Sequence, residues 1–154
     1  EIHDAEDTGH AAVGWARGVY PTRETALAAL RRGELFVEEE DGRITAAGIL
    51  NHEQLPEYAD CAWTVEAAKS EVLVLHTLVV SPKLKGHGYG AAFVGDYEAR
   101  ARELDCRALR IDTQEKNRAA RGFYGKLGFH EVGVTSCTFN GISGVQLVCL
   151  EKVL

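Results

Sequence analysis

Apolar and polar residues alternate along this chain with two periods, one typical of strands and one typical of amphipathic helices. The most apolar run is Val72 to Val80, which predicts a strand buried on both faces. After a glycine-rich stretch, the pattern predicts a helix from about Gly88 to Leu104. Its predicted buried face consists of Ala91, Val94, Ala101 and Leu104. A strand from Arg107 to Thr113 follows, and a strand–helix–strand unit of this length implies parallel pairing with a right-handed crossover.

Two helices are predicted on the N-terminal side of this unit. Residues from Asp4 to Arg17 have a weak helical period. A second helix is predicted after Pro21, with Thr22 as its N-cap and Gly33 as the residue that ends it. The first of these two predictions rests on periodicity alone, whereas the second has a start signal and a stop signal.

A hairpin and an irregular segment complete the N-terminal half. The predicted strands Leu35 to Glu40 and Arg43 to Leu50 flank Asp41-Gly42, a dipeptide that favours a two-residue hairpin turn. The segment from Asn51 to Ser70 has no clear period and is predicted to be irregular.

The C-terminal part is predicted to contain one helix and a final hairpin. Asn117 is the predicted N-cap of a helix that reaches Leu127 and ends at Gly128. The apolar stripe of this helix consists of Ala120, Phe123, Tyr124 and Leu127. Strands from His130 to Phe139 and from Val145 to Leu150 are predicted to turn near Asn140-Gly141. The mixture of elements predicts a single α/β (α+β) domain over residues 1–154.

Composition narrows the range of partners. The chain has 154 residues and a formal net charge of −6, which argues against nucleic acid and favours amines or other cations as partners. No apolar run is long enough for a bilayer and no targeting segment is visible, so we expect a cytoplasmic protein that does not bind membranes. Its four cysteines and six histidines have no metal-ligand spacing, and no metal site is predicted.

The glycine-rich stretch Lys85-Gly86-His87-Gly88-Tyr89-Gly90 lies between a predicted strand and a predicted helix, which is the arrangement of an anion cradle. A Walker loop is excluded because the chain has no G-x-x-x-x-G-K-[ST] string. A dinucleotide fingerprint is an alternative, since Gly86-x-Gly88-x-x-Ala91 fits G-x-G-x-x-[GA] and Asp112 follows about 20 residues later. Two features argue against a dinucleotide site. The segment Ser81 to Lys85 separates the predicted strand from the first glycine, and the pattern predicts only one strand–helix–strand unit.

Several motifs together resemble the GCN5-related N-acetyltransferase (GNAT) superfamily. They are Val79-Val80-Ser81-Pro82, the glycine-rich stretch, Asn117-x-x-Ala120-x-x-x-Tyr124 and Leu127-Gly128-Phe129. The family's pyrophosphate loop is [QR]-x-x-G-x-[GA], and this chain departs from it by having Lys85 in the first place. The resemblance implies a mixed sheet of about six strands flanked by helices, with a V-shaped splay between two central parallel strands that binds acetyl-CoA.

The resemblance also implies which residues bind the cofactor. Backbone groups of the first central strand would bind the pantetheine, those of the glycine loop would bind the pyrophosphate, and Asn117 would contact the cofactor unless it serves only as the N-cap. The cofactor-binding residues implied are Leu78, Val79, Val80, Lys85, Gly86, His87, Gly88, Tyr89, Gly90, Ala91, Asn117, Ala120 and Tyr124.

The implied reaction is direct attack of an amine on the thioester in a ternary complex. Tyr124 is the candidate proton donor to the thiolate, with a core tyrosine as the alternative. Asp112 and His76 are the candidate bases. For Asp112 the alternative is a strand-end acid paired with arginine, and for His76 it is a hydrogen-bonded core residue.

The implied acceptor is a primary amine, either a small molecule or a protein N-terminus or lysine. In this fold the acceptor pocket comes from the first two helices and the irregular segment, or else these residues form an ordinary acidic surface. They include Trp15, Tyr20, Glu53, Tyr58, Asp60, Trp63 and Glu66. The family usually begins with a strand that is not evident here, so an N-terminal strand is expected to be missing. Rival hypotheses are a non-catalytic acyl-CoA-binding domain and a nucleotide-binding module, and dimerisation through the C-terminal hairpin is compatible with the sequence.

Overall fold

A computed structural model of the chain describes residues 1–139 and 142–154. Its helices are α1 (Ile2–Asp7), α2 (Arg23–Arg31), α3 (Tyr89–Glu103) and α4 (Arg118–Lys126). Its strands are β1 (Leu35–Glu40), β2 (Arg43–Asn51), β3 (Val72–Val80), β4 (Ala108–Gln114), β5 (His130–Phe139) and β6 (Ile142–Val153). Short 3-10 turns lie at Pro56–Asp60, Lys69–Glu71 and Pro82–Leu84. The predicted turn at Asn140-Gly141 lies outside the described residues.

The described strands form one six-stranded sheet in the order β1-β2-β3-β4-β6-β5. Only β3 and β4 are parallel, and the other neighbouring pairs are antiparallel. This arrangement confirms the predicted mixed sheet flanked by helices, with a parallel pair at its centre. The parallel pair follows from the long connection through α3, because parallel strands cannot be joined by a tight turn.

Several helices and turns begin or end at the residues that the sequence predicted. Thr22 caps α2, and its hydroxyl accepts a hydrogen bond from the Thr25 N–H at 3.3 Å. Asp41 and Gly42 both have positive φ, 50° and 73°, as a tight hairpin turn between β1 and β2 requires. Gly128, at φ 88°, ends α4 and brings the buried ring of Phe129 back against the core.

The predicted helix from Asp4 to Arg17 was wrong beyond its first turns. Helix α1 ends at Asp7, and Gly9, Gly14 and Gly18 all have positive φ between 75° and 78°. Glycine readily adopts such angles, so the chain turns repeatedly there instead of continuing a helix. The Glu6 carboxylate holds the turned segment by accepting the N–H groups of Val13 and Gly14 at 2.7 and 2.8 Å.

Two burial predictions were also wrong in part. Helix α3 packs on the sheet through Val94 and Ala101 as predicted, together with two aromatic residues, Phe93 and Tyr97. Ala91 and Leu104 are exposed instead. Ala91 lies beside the buried stripe, which centres on Tyr97, and Leu104 is the C-cap beyond the sheet.

Strand β3 was predicted to be buried along its whole length, and this holds only for its first half. Residues Val72 to Leu75 are buried, whereas His76 to Val80 are half-buried. The change occurs where β3 loses its parallel neighbour β4.

Candidate active site

The two central parallel strands separate halfway along their length. Strands β3 and β4 pair from Val72 with Ala108 to Leu75 with Ile111, and no further pairs follow. Beyond that point β3 continues beside β2, and β4 continues beside β6. A cavity of about 110 Å³ lies at this splay, well above the ~10–15 Å³ that one water molecule needs.

A bulge in β3 opens the first arm of the splay. His76 pairs with Ile49 and Val79 pairs with Ala47, so two residues of β3 face Gly48 alone. One of them, Thr77, has φ 54°, which is rare for a β-branched residue. The extra residue of a bulge is unpaired, so backbone groups here lie outside the regular ladder and next to the cavity.

An anion cradle was predicted at the glycine loop and the start of α3. Gly86 and Gly88 have φ 86° and 89°, and no side chain of the described residues caps the helix. The first described intrahelical bond runs from the Ala92 N–H to the Gly88 carbonyl at 3.0 Å, so the N–H groups of the first turn have no helical acceptor. A Cβ on Gly90 would lie 3.2 Å from Phe123 and 3.3 Å from Val80, which explains glycine at this position.

Several side chains of the glycine loop and of the first turn of α3 are exposed to solvent. Lys85 and His87 are exposed, and an imidazole nitrogen of His87 lies 3.2 Å from the Leu84 carbonyl. Ala91 is exposed on the first turn of α3. Tyr89 donates its hydroxyl hydrogen bond to Glu40 at the end of β1.

Tyr124 on α4 lines the cavity with an otherwise buried ring. It packs against Phe123 and Phe129, with ring centroids 5.1 and 5.8 Å away. Burial raises the pKa of the Tyr124 phenol, so it is protonated at neutral pH. Among the described residues its hydroxyl has no hydrogen-bond acceptor, so its proton is available to a ligand.

Asn117 caps α4 and is itself buried. Its side-chain oxygen accepts a hydrogen bond from the Ala120 N–H at 3.1 Å. The cap uses one lone pair of the amide oxygen, and the NH₂ group of Asn117 is the donor that a ligand could use. Both Asn117 and Ala120 line the cavity.

Asp112 projects into the cavity from the second arm of the splay. One of its oxygens accepts a hydrogen bond from the Tyr58 hydroxyl at 2.6 Å. Burial raises the pKa of the Asp112 carboxyl, while the Tyr58 hydrogen bond and nearby His76 act in the opposite direction. The carboxylate thus has one oxygen fixed by Tyr58 and a proton affinity above that of an ordinary aspartate.

His76 lines the cavity from the first arm, and Asn51 holds its ring. The Asn51 amide is oriented by two bonds, since its oxygen accepts the Glu53 N–H at 2.9 Å and its nitrogen donates to Glu34 at 3.1 Å. The Nε2 of His76, 3.0 Å from that oxygen, must therefore be the donor. Burial lowers the pKa of His76, which favours the neutral ring with a free lone pair on Nδ1.

A second part of the cavity wall comes from segments that are far apart along the chain. Tyr20 makes edge-to-face contacts with Trp15 and Phe139, at 5.9 and 5.0 Å between centroids, and its hydroxyl is hydrogen-bonded to Thr77. Gln114 donates to the Gly14 carbonyl at 2.7 Å and so ties the N-terminal segment to β4.

The predicted acceptor-pocket residues do not all lie at the cavity. Trp15 and Tyr20 line it, and Tyr58 reaches it through Asp112. Trp63 instead lies under the Arg110 guanidinium, 3.9 Å from ring centroid to Cζ, and Glu53 pairs with Lys69 near the surface. Sequence reasoning did not name several of the lining residues as site candidates, among them Thr77, Gln114 and Phe139. Gln114 and Phe139 each end a strand, which is a weak local signal of a role, whereas Thr77 lies within β3.

Two further observations concern the described residues as a whole. No group of three or more His, Cys, Asp or Glu side chains among them could hold a metal ion. None of the helices within residues 1–139 and 142–154 combines the length and apolarity that crossing a bilayer demands.

Two comparisons of the sequence with known proteins find acetyltransferases. The family model described as "Acetyltransferase (GNAT) family" matches residues 3–129. An uncharacterised N-acetyltransferase of Methanocaldococcus jannaschii is 32% identical over 72 residues, which are 47% of this chain and 32% of that protein. The aligned part therefore spans about a third of that relative's length.

Solved structures share the fold at low sequence identity. A GNAT-family acetyltransferase from Streptococcus agalactiae superimposes with a TM-score of 0.79 at 20% identity, covering 99% of this chain and 84% of that one. A ribosomal-protein-alanine N-acetyltransferase from Brucella melitensis gives 0.68 at 18%, covering 99% and 90%. A Bacillus subtilis acetyltransferase in complex with CoA gives 0.65 at 18%, covering 88% and 86%.

Proposed function

The chain belongs to the acetyltransferase (GNAT) family, and from this premise we propose that it transfers the acetyl group of acetyl-CoA to a primary amine by direct attack in a ternary complex. The observation that carries the proposal is the splay between β3 and β4. Tyr124, Asp112 and His76 all line the same cavity, and Gly90 of the glycine loop lies against Val80 of β3 and Phe123 of α4. The single-domain organisation of residues 1–154, a cytoplasmic location and dimerisation through the C-terminal hairpin stay predictions.

The residues around the splay suit acetyl-CoA. The unpaired N–H groups at the start of α3, from Gly88 to Ala91, together with Gly86, would bind the pyrophosphate, with exposed Lys85 and His87 beside it. Leu78, Val79 and Val80 would bind the pantetheine through their backbone. The NH₂ group of Asn117 and the small side chain of Ala120 would border the cofactor at the start of α4.

The proposed proton donor is Tyr124. Acetyl-CoA, when bound, supplies a thioester carbonyl and a sulfur leaving group. Because the Tyr124 phenol stays protonated and has no acceptor among the described residues, it can give its proton to that sulfur.

The proposed base is Asp112 or His76. An alkyl ammonium must lose a proton before it can attack, and both side chains reach the cavity with one atom free to take it. The raised pKa of Asp112 makes it a stronger base than an ordinary aspartate, and the Nδ1 of neutral His76 is the other acceptor. Asp112→Asn and His76→Gln separate them, because only replacement of the base removes the acidic limb of the pH–rate profile.

The first test measures thermal stability with acetyl-CoA, CoA, NAD and ATP, followed by thiol release with a panel of amines. A ligand at a hundred times its Kd adds about 2.7 kcal/mol to stability, which is several degrees of Tm for a chain of this size. We expect a shift with acetyl-CoA and CoA only, and turnover that falls ~10²–10⁴-fold in Tyr124→Phe.

The control is Tyr97→Phe, which removes another buried hydroxyl that donates to the backbone carbonyls of Leu73 and Arg110. It should lose stability but keep turnover. Stabilisation by CoA without turnover of any amine would favour a non-catalytic acyl-CoA-binding domain. Stabilisation by NAD or ATP alone would favour a nucleotide-binding module.

A further inference from the structure

The cavity at the splay has two chemically different walls. The wall on the α4 side contains Asn117 and Tyr124, which the proposed function assigns to acetyl-CoA. The facing wall is built from three separate segments of the chain and is mostly apolar. It consists of Trp15, Tyr20, Leu55, Phe139 and Leu147. An acceptor amine that attacks from this side would place its substituent against that wall.

Aromatic rings dominate the facing wall. Tyr20 stands nearly perpendicular to both Trp15 and Phe139, with interplanar angles of 80°. Its hydroxyl is already hydrogen-bonded to Thr77, so its ring is the part left for a ligand. All three aromatic side chains are only half-buried, so part of each ring surface is free to contact a flat or branched apolar group.

The charges at the cavity favour a cation and exclude an anion. No lysine or arginine is found among its lining residues in the described chain. Asp112 supplies the single acidic group among the described lining residues, and burial lowers the pKa of His76, which favours its neutral form. A carboxylate on the acceptor would lose its hydration and lie near Asp112 with no cation to balance it.

A polar tail is also poorly accommodated. The second ammonium of a diamine, placed against the apolar wall, would leave water without a carboxylate to pair with there. Arg110 lies two residues before Asp112 in β4, but it is not free to balance the charge of an anion. It is already paired with Glu151 at 3.1 Å and stacked on Trp63.

We infer that the acceptor is a primary amine that carries an aromatic or branched apolar group and has no anionic group on the carbon next to its nitrogen. The inference rests on the proposed function and deepens it. Two sources share this chemistry, an arylalkylamine and the N-terminus of a peptide with an apolar first residue. In a peptide the α-carboxylate of that residue is replaced by a neutral amide.

The test compares four small amines at saturating acetyl-CoA. These are 2-phenylethylamine, L-phenylalaninamide, L-phenylalanine and 1,4-diaminobutane. We expect kcat/KM for the first two to exceed that for the last two by at least tenfold, ~1.4 kcal/mol. L-Phenylalaninamide and L-phenylalanine share the ring and differ in the carboxylate, so their ratio isolates the effect of charge.

A peptide with N-terminal phenylalanine separates the two sources. Turnover equal to that of L-phenylalaninamide points to a peptide N-terminus, and turnover at least tenfold lower points to a free arylalkylamine. Both results support the inference.

Two variants test the wall itself. Trp15→Ala and Phe139→Ala should raise KM for 2-phenylethylamine several-fold and leave the Tm shift by acetyl-CoA unchanged. Leu104→Ala, which removes an exposed apolar side chain at the far end of α3, is the control and should change neither.

The outcomes distinguish failure of the inference from failure of the proposed function. Equal or better turnover of L-phenylalanine or 1,4-diaminobutane would overturn the inference while leaving an acetyltransferase. No Tm shift with acetyl-CoA, combined with calorimetric binding of 2-phenylethylamine in preference to L-phenylalanine, would keep the inference and overturn the proposed function. Absence of binding and turnover for 2-phenylethylamine would overturn the inference directly.

Discussion

The two sides of the splay are held together by different kinds of interaction. On the α4 side, the proposed cradle is made of backbone: positive-φ glycines, N–H groups that have no acceptor within the helix, and the close approach of Gly90 to Phe123 and Val80. On the facing side, the irregular segment and the N-terminal turns are held by side chains. Arg110 alone contacts Glu151, Gln54 and the Val65 carbonyl.

The difference predicts where each side is vulnerable. A backbone cradle tolerates changes of exposed side chains but not an added Cβ where φ is positive. A side-chain scaffold tolerates changes of loop backbone but not the loss of a buried charge or hydroxyl. Variants of each kind should therefore affect acetyl-CoA and the amine separately.

The largest effect is expected from Glu151→Gln on the facing side. Glu151 is 1% exposed, accepts the Thr64 N–H at 2.6 Å and pairs with buried Arg110. Removing its charge leaves Arg110 unpaired, which should cost about 3–5 kcal/mol. Thermal melts should show a drop of roughly 6–20 °C at 2–4 °C per kcal/mol, with the shift by acetyl-CoA retained.

Its control is Glu103→Gln, which breaks the exposed pair with Arg100. That change should cost less than about 0.5 kcal/mol. If Glu151→Gln melted like Glu103→Gln, the facing side would not depend on this ion pair.

The next effect is expected from Gly88→Val in the cradle. A β-branched residue at φ 89° is strained by ~1–2 kcal/mol. Relief of that strain would move the N–H groups of the cradle, so calorimetry should show at least tenfold weaker binding of acetyl-CoA. Gly95→Ala is the matched control, since Gly95 lies in α3 with open space around it. It should stabilise the helix by about 0.5–1 kcal/mol without changing affinity.

The smallest effect, and the most specific, is expected from Tyr58→Phe. The Tyr58 hydroxyl lowers the pKa of Asp112 by donating to its carboxylate. Its removal should raise that pKa, so the acidic limb of the kcat/KM profile should move to higher pH if Asp112 is the base. The stability loss should be about 1 kcal/mol.

Tyr97→Phe again provides the comparison, because it should cost similar stability with no change in the pH profile. An unmoved acidic limb in Tyr58→Phe would leave His76 as the base. A limb that moved to lower pH would contradict the hydrogen-bond assignment between Tyr58 and Asp112.

Secondary-structure elements could be predicted where a few neighbouring residues determine the backbone conformation. Asp41-Gly42, the N-cap Thr22 and Gly128 each act within a few residues, and the structure confirms all three. The predicted N-terminal helix was wrong because its weak period extends across Gly9 and Gly14, whose positive φ is incompatible with a continuous helix. Those glycines were the available signal for turns.

The site was predictable to the extent that motifs describe it. The motifs indicated the glycine loop, Asn117 and Tyr124. Asn117 and Tyr124 line the cavity at the splay, and the roles of all three stay predictions. Asp112 and His76 were named as candidate bases, but their partners Tyr58 and Asn51 could not be found. Those partners lie 54 and 25 residues away along the chain, so no local pattern relates them.

The strands, the glycine loop, the caps and hence the family could be predicted from sequence, because these depend on local backbone preference and on periodic burial. The separation of β4 from β3 after Ile111, and the contacts of Tyr20 with Trp15 and Phe139, are visible only in the folded chain. The physical reason is that a cavity wall is assembled from side chains of distant segments. Their meeting depends on packing over the whole sheet and leaves no mark in the residues beside each of them.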